Sequence, residues 1–141
     1  MTEGFEQTDF DTLVDATRMA HNKNAEHELW RRCLALEHWY CIGVGEGEEM
    51  QPLIAAVEGK PHLIAFTDEE RAHEFGRRLA AKKGGAVPTV IHMEVDDAVD
   101  YCRVLYEYHP EVHGVHFNDG GYAFDCLMSE LIDRWGRAGK G

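Results

Sequence analysis

The chain predicts an α+β (α/β) fold in one domain, and three observations carry that prediction. A strand turns into a helix within a single residue in the segment Leu63 to Phe75, LIAFTDEERAHEF. A later segment, Thr89 to Val95, alternates apolar and polar residues with a period of two, and amphipathic helical stripes occupy both ends of the chain. A length of 141 residues suits one ordinary domain, and no repeat, low-complexity linker or composition break divides it.

The elements follow in order. Residues 1–8 are polar and read as a flexible N-terminus, the folded domain is expected over 9–136, and 137–141 read as a flexible tail. Asp9 or Asp11 caps a first helix with Phe10, Leu13, Val14 and Thr17 on one face. After HNKN, a second helix turns Ala25, Leu29, Trp30, Cys33 and Leu34 or Leu36 inward, completing an N-terminal helical hairpin. Strands are expected at Trp39 to Val44, Pro52 to Val57 and His62 to Phe66, separated by the turn segments GEGEEM and EGKP. At the corner, Thr67 and Glu70 form an S/T-x-x-E capping box, and the helix from Asp68 buries Ala72, Phe75, Gly76 and Leu79. Arg77, Arg78, Lys82 and Lys83 gather toward its C-terminal end, where cations complement the helix dipole, and Gly84 and Gly85 stop it.

In the strand from Thr89, Ile91, Met93 and Val95 point one way while His92 and Glu94 point the other. Asp96 or Asp97 caps the next helix, whose core face is Ala98, Tyr101, Cys102, Leu105 and Tyr108. Pro110 ends it, Val112 to Asn118 form a last strand, and Asn118 to Gly121 turn the chain into a final helix with Phe124, Leu127, Met128, Leu131, Ile132 and Trp135 inward. The result is a mixed sheet of about five strands after a helical hairpin, with helices mainly on one face.

This order of elements resembles the N-terminal domain of the SseB, or enhanced-serine-sensitivity, family of bacterial proteins. The likeness is carried by ELWRRCLALEHWYCIGV, by LIAFTDEERAHEF with its Phe66-Thr67 corner, and by GVHFNDGGYAFDCLMSEL, and it covers most of residues 10–135. Where that family often places a proline after the turn asparagine, this chain has Asn118-Asp119, and the second domain that longer members carry is not expected. That second departure implies a stand-alone module, while the resemblance implies an accessory or regulatory protein and supplies no catalytic residues.

Composition narrows the function classes. With 26 acidic against 14 basic residues, the net charge of −12 disfavours nucleic acid and anionic membranes, because phosphate surfaces reward clustered cations. No apolar run approaches the roughly 18 to 20 residues of a membrane span, and the start MTEGFEQTDFDT lacks a secretory signal, so a cytoplasmic location is expected. Cys33, Cys41, Cys102 and Cys126 form no C-x-x-C pair and read as reduced, buried thiols. Ser129, the one serine, lies on the outer face of the last helix, which leaves no serine nucleophile beside a base.

Three candidate sites remain, and no cofactor is expected. His92, Glu94 and His116 would form a metal-ligating set if strand order brings their polar face together. Asn118, Asp119, Gly120 and Gly121 sit where a turn is expected to meet a helix N-terminus, although Asp119 also suits a helix cap. Glu46, Glu48 and Glu49 make an acidic turn; the nearby glycines, Gly43, Gly45 and Gly47, lack the following helix of a phosphate loop. The expected function is a non-enzymatic interaction or regulatory module that binds a protein partner or a copy of itself. The alternative is a small-ligand or metal-binding protein using the polar sheet face and the Asn118 turn.

Overall fold

A computed structural model describes residues 9–138. The expected N-terminal segment 1–8 and tail residues 139–141 lie outside the described residues, while the last helix runs through Arg137, one residue past the expected domain end. Asp9 caps α1 (Phe10–Ala20) by accepting from the Thr12 N–H, and Asn22 caps α2 (Lys23–Ala35) by accepting from Asn24 and Ala25. Together they form the expected hairpin.

The sheet is built from seven described strands: β1 (His38–Val44), β2 (Gln51–Pro52), β3 (Ile54–Val57), β4 (Lys60–Phe66), β5 (Val90–Glu94), β6 (Gly114–Phe117) and β7 (Phe124–Leu127). β1 pairs antiparallel with β5, β2 and β4; β3 pairs antiparallel with β4; β4 and β6 run parallel; and β7 closes antiparallel on β6. The expected strand Pro52 to Val57 is therefore two. At Leu53 the chain changes partner, its N–H donating to Ile42 O of β1 while its carbonyl accepts from Ile64 N of β4.

Strand β7 replaces the first turn of the expected final helix, and α5 spans only Met128–Arg137. Phe124, Leu127, Met128 and Leu131 fit helical spacing, yet Phe124 and Cys126 also alternate with Asp125 and Leu127, and pairing with β6 decides between the two. Gly114 permits that pairing, because a Cβ there would collide with the Cys126 carbonyl. The remaining helices are α3 (Glu69–Lys83) and α4 (Val95–Tyr108). The expected cap at Asp96 or Asp97 is not formed: Glu94 precedes the first residue of α4 without a side-chain bond, and the two aspartates lie in the first turn. Tyr108 is 68% exposed rather than core, since α4 has outrun the core after Leu105.

Helices α1, α2, α4 and α5 pack on one face of the sheet, around Trp39, Leu63, Val115, Phe117 and Phe124. Phe117 is the hub: Trp39 meets it edge-on at 4.8 Å and Phe124 stacks at 5.1 Å. The Trp39 indole N–H donates to Cys33 O at 3.0 Å, so this buried ring leaves no polar atom unpaired. Helix α3 alone covers part of the other face, with Ala72, Phe75 and Leu79 on Ile42, Ile64 and Phe66. The fold is thus one α+β domain with a mixed sheet and helices mainly on one side.

Candidate functional site

The parallel strands β4 and β6 end side by side, in Phe66-Thr67 and Phe117-Asn118, and their carboxyl ends open into a cleft. Asn118 joins the two ends. Its N–H donates to Ala65 O at 2.9 Å, its Oδ1 accepts from Thr67 N at 3.0 Å, and its Nδ2 donates to Thr67 Oγ1 at 3.1 Å. Both side chains are buried, Asn118 to 1% exposure. This overturns the capping box expected at the corner: Thr67 is spent on Asn118, and Asp68 caps α3 by accepting from Arg71 N at 2.8 Å. The Asn118 turn also meets no helix N-terminus, because β7 follows it.

The connection from Asn118 to Ala123 is held in an unusual shape. Asn118 (φ 60), Gly120 (φ 112), Gly121 (φ 152) and Tyr122 (φ 56) all have positive φ. Asparagine tolerates the left-handed region, but for tyrosine it costs on the order of 1–3 kcal/mol. Tyr122 is 45% exposed, so burial does not offset that cost. His116 clasps the loop at its base, with Nε2 at 2.9 Å from Asp119 Oδ1 and Nδ1 at 3.1 Å from Asp125 Oδ2. A doubly protonated ring donates to both carboxylates, whereas a neutral ring donates to one. Arg18 donates to the Ala123 carbonyl at the far end, and Arg78 reaches the Asp119 carbonyl at 3.4 Å.

The cleft between this loop and α3 has a volume of about 500 Å³. Asp11, Asp68, Glu70, Glu74 and Asp119 line it, against only Arg71 and Arg78. Both cations are engaged: Arg71 pairs with Asp11 at 2.8 Å and Asp68 at 2.9 Å, and Arg78 lies 3.8 Å from Glu74. The two carboxylates help to raise the Arg71 pKa against the lowering effect of its burial. Five carboxylates facing two guanidiniums leave the cleft negative, and Tyr122 adds an exposed aromatic face at its edge.

The expected metal set does not assemble. β1 and β4 stand between β5 and β6, so His92 and Glu94 are separated from His116. His92 instead meets Tyr40 edge-on at 4.9 Å and Glu69 at 3.2 Å, Glu94 is exposed opposite His38, and His116 is taken by its two aspartates. No cluster of three potential ligands with metal-site geometry occurs among the described residues. Glu46, Glu48 and Glu49 lie exposed at a one-turn helix (Gly47–Glu49) after β1. Because β1 runs antiparallel to β4, that turn is at the opposite end of the sheet from Asn118.

All four thiols are buried, and burial pushes each pKa upward, that of Cys41 to about 12. None is a nucleophile in the folded state. Sequence reasoning found the Asn118 to Gly121 turn but missed Thr67, Tyr122, Glu74 and Arg78 as its neighbours. The available signal was the matching ends of the two strands, Phe66-Thr67 and Phe117-Asn118, which a parallel pairing sets side by side. No helix among the described residues is long and apolar enough to cross a membrane. Neither the protein-family models nor the curated proteins contain a match to the chain.

Proposed function

We propose that this protein is a non-enzymatic interaction module whose acid-walled cleft receives a cationic segment of a protein partner. One observation carries the reading: a strained, pre-shaped loop holds Tyr122 exposed beside five carboxylates at the carboxyl ends of a parallel strand pair. Strain retained without burial marks a place where geometry serves something other than stability. Crevices at the carboxyl ends of parallel strands are also common ligand sites. An arginine or lysine entering here meets a net excess of carboxylate over guanidinium charge and an aromatic face suited to cation–π contact. A second copy offers suitable groups at Arg77, Lys82 and Lys83 of α3, so the partner includes the protein itself. The likeness to the SseB family favours the same accessory or regulatory class, in a bacterial cytoplasm.

The test is fluorescence polarisation with an arginine-rich peptide and a glutamate-rich control. The cationic peptide binds, and its affinity falls with salt because the attraction is largely between exposed charges. The double reversal Glu70→Lys with Glu74→Lys abolishes binding, while the triple reversal Glu46→Lys, Glu48→Lys and Glu49→Lys leaves most of it. The opposite ranking of the two variants moves the surface to the other end of the sheet and refutes the cleft.

A further inference from the structure

A second cavity, of about 460 Å³, lies on the helical layer between α2 and α5, remote from the acidic cleft and independent of its reading. Its chemistry is the reverse of that cleft. Trp30, Leu34 and Ala35 give it an apolar wall, and Arg31, Arg134 and Arg137 stand around it. In a chain of net charge −12, three arginines line one apolar cavity, two of them paired with carboxylates.

The arginines are unevenly satisfied. Arg31 is held by Glu28 through two bonds, at 2.8 and 2.6 Å, and that contact together with Arg32 lowers the Glu28 carboxyl to about 2. Arg134 lies over the Trp30 ring at 5.5 Å, only 15% exposed, and reaches Glu130 and Glu26 at the long distances of 3.6 and 3.9 Å. Its Nε is buried without a hydrogen-bond partner among the described residues. An unpaired donor on a buried cation is costly, so Arg134 is the incompletely satisfied cation of this cavity.

We infer that this cavity binds a small monocarboxylate carrying a flat or branched apolar body. The guanidinium groups of Arg134 and Arg137 meet the carboxylate, and Trp30 with Leu34 meets the apolar body. The volume falls within the range of small-molecule sites, about 300–1,000 Å³. A monoanion is favoured over a phosphate dianion because Glu28 pairs with Arg31, and Glu26 and Glu130 with Arg134, which already cancels much of their charge.

Two-dimensional NMR of ¹⁵N-labelled full chain tests this with three probes: 2-naphthoate, the neutral 2-naphthalenemethanol and inorganic phosphate. Naphthoate shifts the Trp30 indole N–H and the Leu34 and Ala35 amides, the alcohol binds at least about tenfold more weakly, and phosphate shifts none of them. Arg137 is exposed, so Arg137→Gln leaves the fold intact and weakens naphthoate while sparing the alcohol. Equal binding of naphthoate and alcohol reduces the site to an apolar crevice and overturns the inference. So do phosphate competition, shifts confined to other residues, and an unchanged naphthoate affinity in Arg137→Gln.

Discussion

Replacing Asn118 probes the joint between the two parallel strands. In Asn118→Ala, the Thr67 N–H loses the acceptor it holds at 3.0 Å and stays buried, which costs about 1–3 kcal/mol. Alanine at φ 60 adds about 1 kcal/mol of backbone strain. The expected loss is therefore about 3 kcal/mol. Asn118→Gly removes the strain and keeps the hydrogen-bond loss, for about 2 kcal/mol. Asn118→Asp keeps an acceptor for Thr67 but buries a carboxylate with no cation beside it, so at neutral pH it is no milder than alanine. Urea denaturation measures the series, with unchanged slopes showing that only stability has moved. Thr67→Val removes the hydroxyl that accepts from Asn118 Nδ2, and a double-mutant cycle with Asn118→Ala returns a coupling of about 1 kcal/mol. Equal losses for alanine and glycine show that the backbone is unstrained there, and zero coupling shows that the two side chains do not meet.

Other perturbations test separate parts of the structure. Asp68→Ala costs about 1 kcal/mol by removing the cap of α3, while Thr67→Ser, which keeps the hydroxyl, costs much less; an Asp68→Ala variant as stable as the parent in denaturation contradicts Asp68 as the cap. Gly114→Ala forces β6 away from the Cys126 carbonyl and destabilises by at least about 2 kcal/mol, so a stability equal to that of the parent contradicts the β6–β7 register. The four thiols have folded pKa values raised above the ordinary 9.0, so the unfolded chain loses these protons first as pH rises. Stability from this source is intact below pH 9 and falls above it, toward the Cys41 value of about 12. The loss is roughly 1 kcal/mol per thiol for each pH unit. Denaturation at pH 8 and pH 10, with a thiol reagent that labels the chain only on unfolding, checks both statements; equal stability and labelling of the native protein contradict them.

Much of the architecture was legible because its signals are local. The helical stripes of α1 and α2, the alternation of β5 and the stop after Lys83 depend on neighbours a few residues away. The errors arise where distant residues decide. Phe124 to Leu127 suits either period, and only β6 selects the strand. Thr67 reads as a helix cap until Asn118, 51 residues later, claims its hydroxyl and N–H. His92 and His116 share a sheet face by alternation, but the strand order that separates them has no local signature. The cleft itself was half visible: the turn at Asn118 to Gly121 announced itself through its residue types, whereas Glu74 and Arg78 join it only because α3 packs beside the loop.

The most direct measurement of the cleft's role is a backbone NMR titration of the ¹⁵N-labelled protein with an arginine-rich peptide at low ionic strength. The amides of Asp119, Gly120, Gly121 and Tyr122, together with those of Glu70 and Glu74, shift together along one saturable curve and revert as salt is added, while Gly47, Glu48 and Glu49 stay in place. Saturable shifts at Gly47 to Glu49 with a silent loop, or no saturable shift at any residue, contradict the proposed cleft.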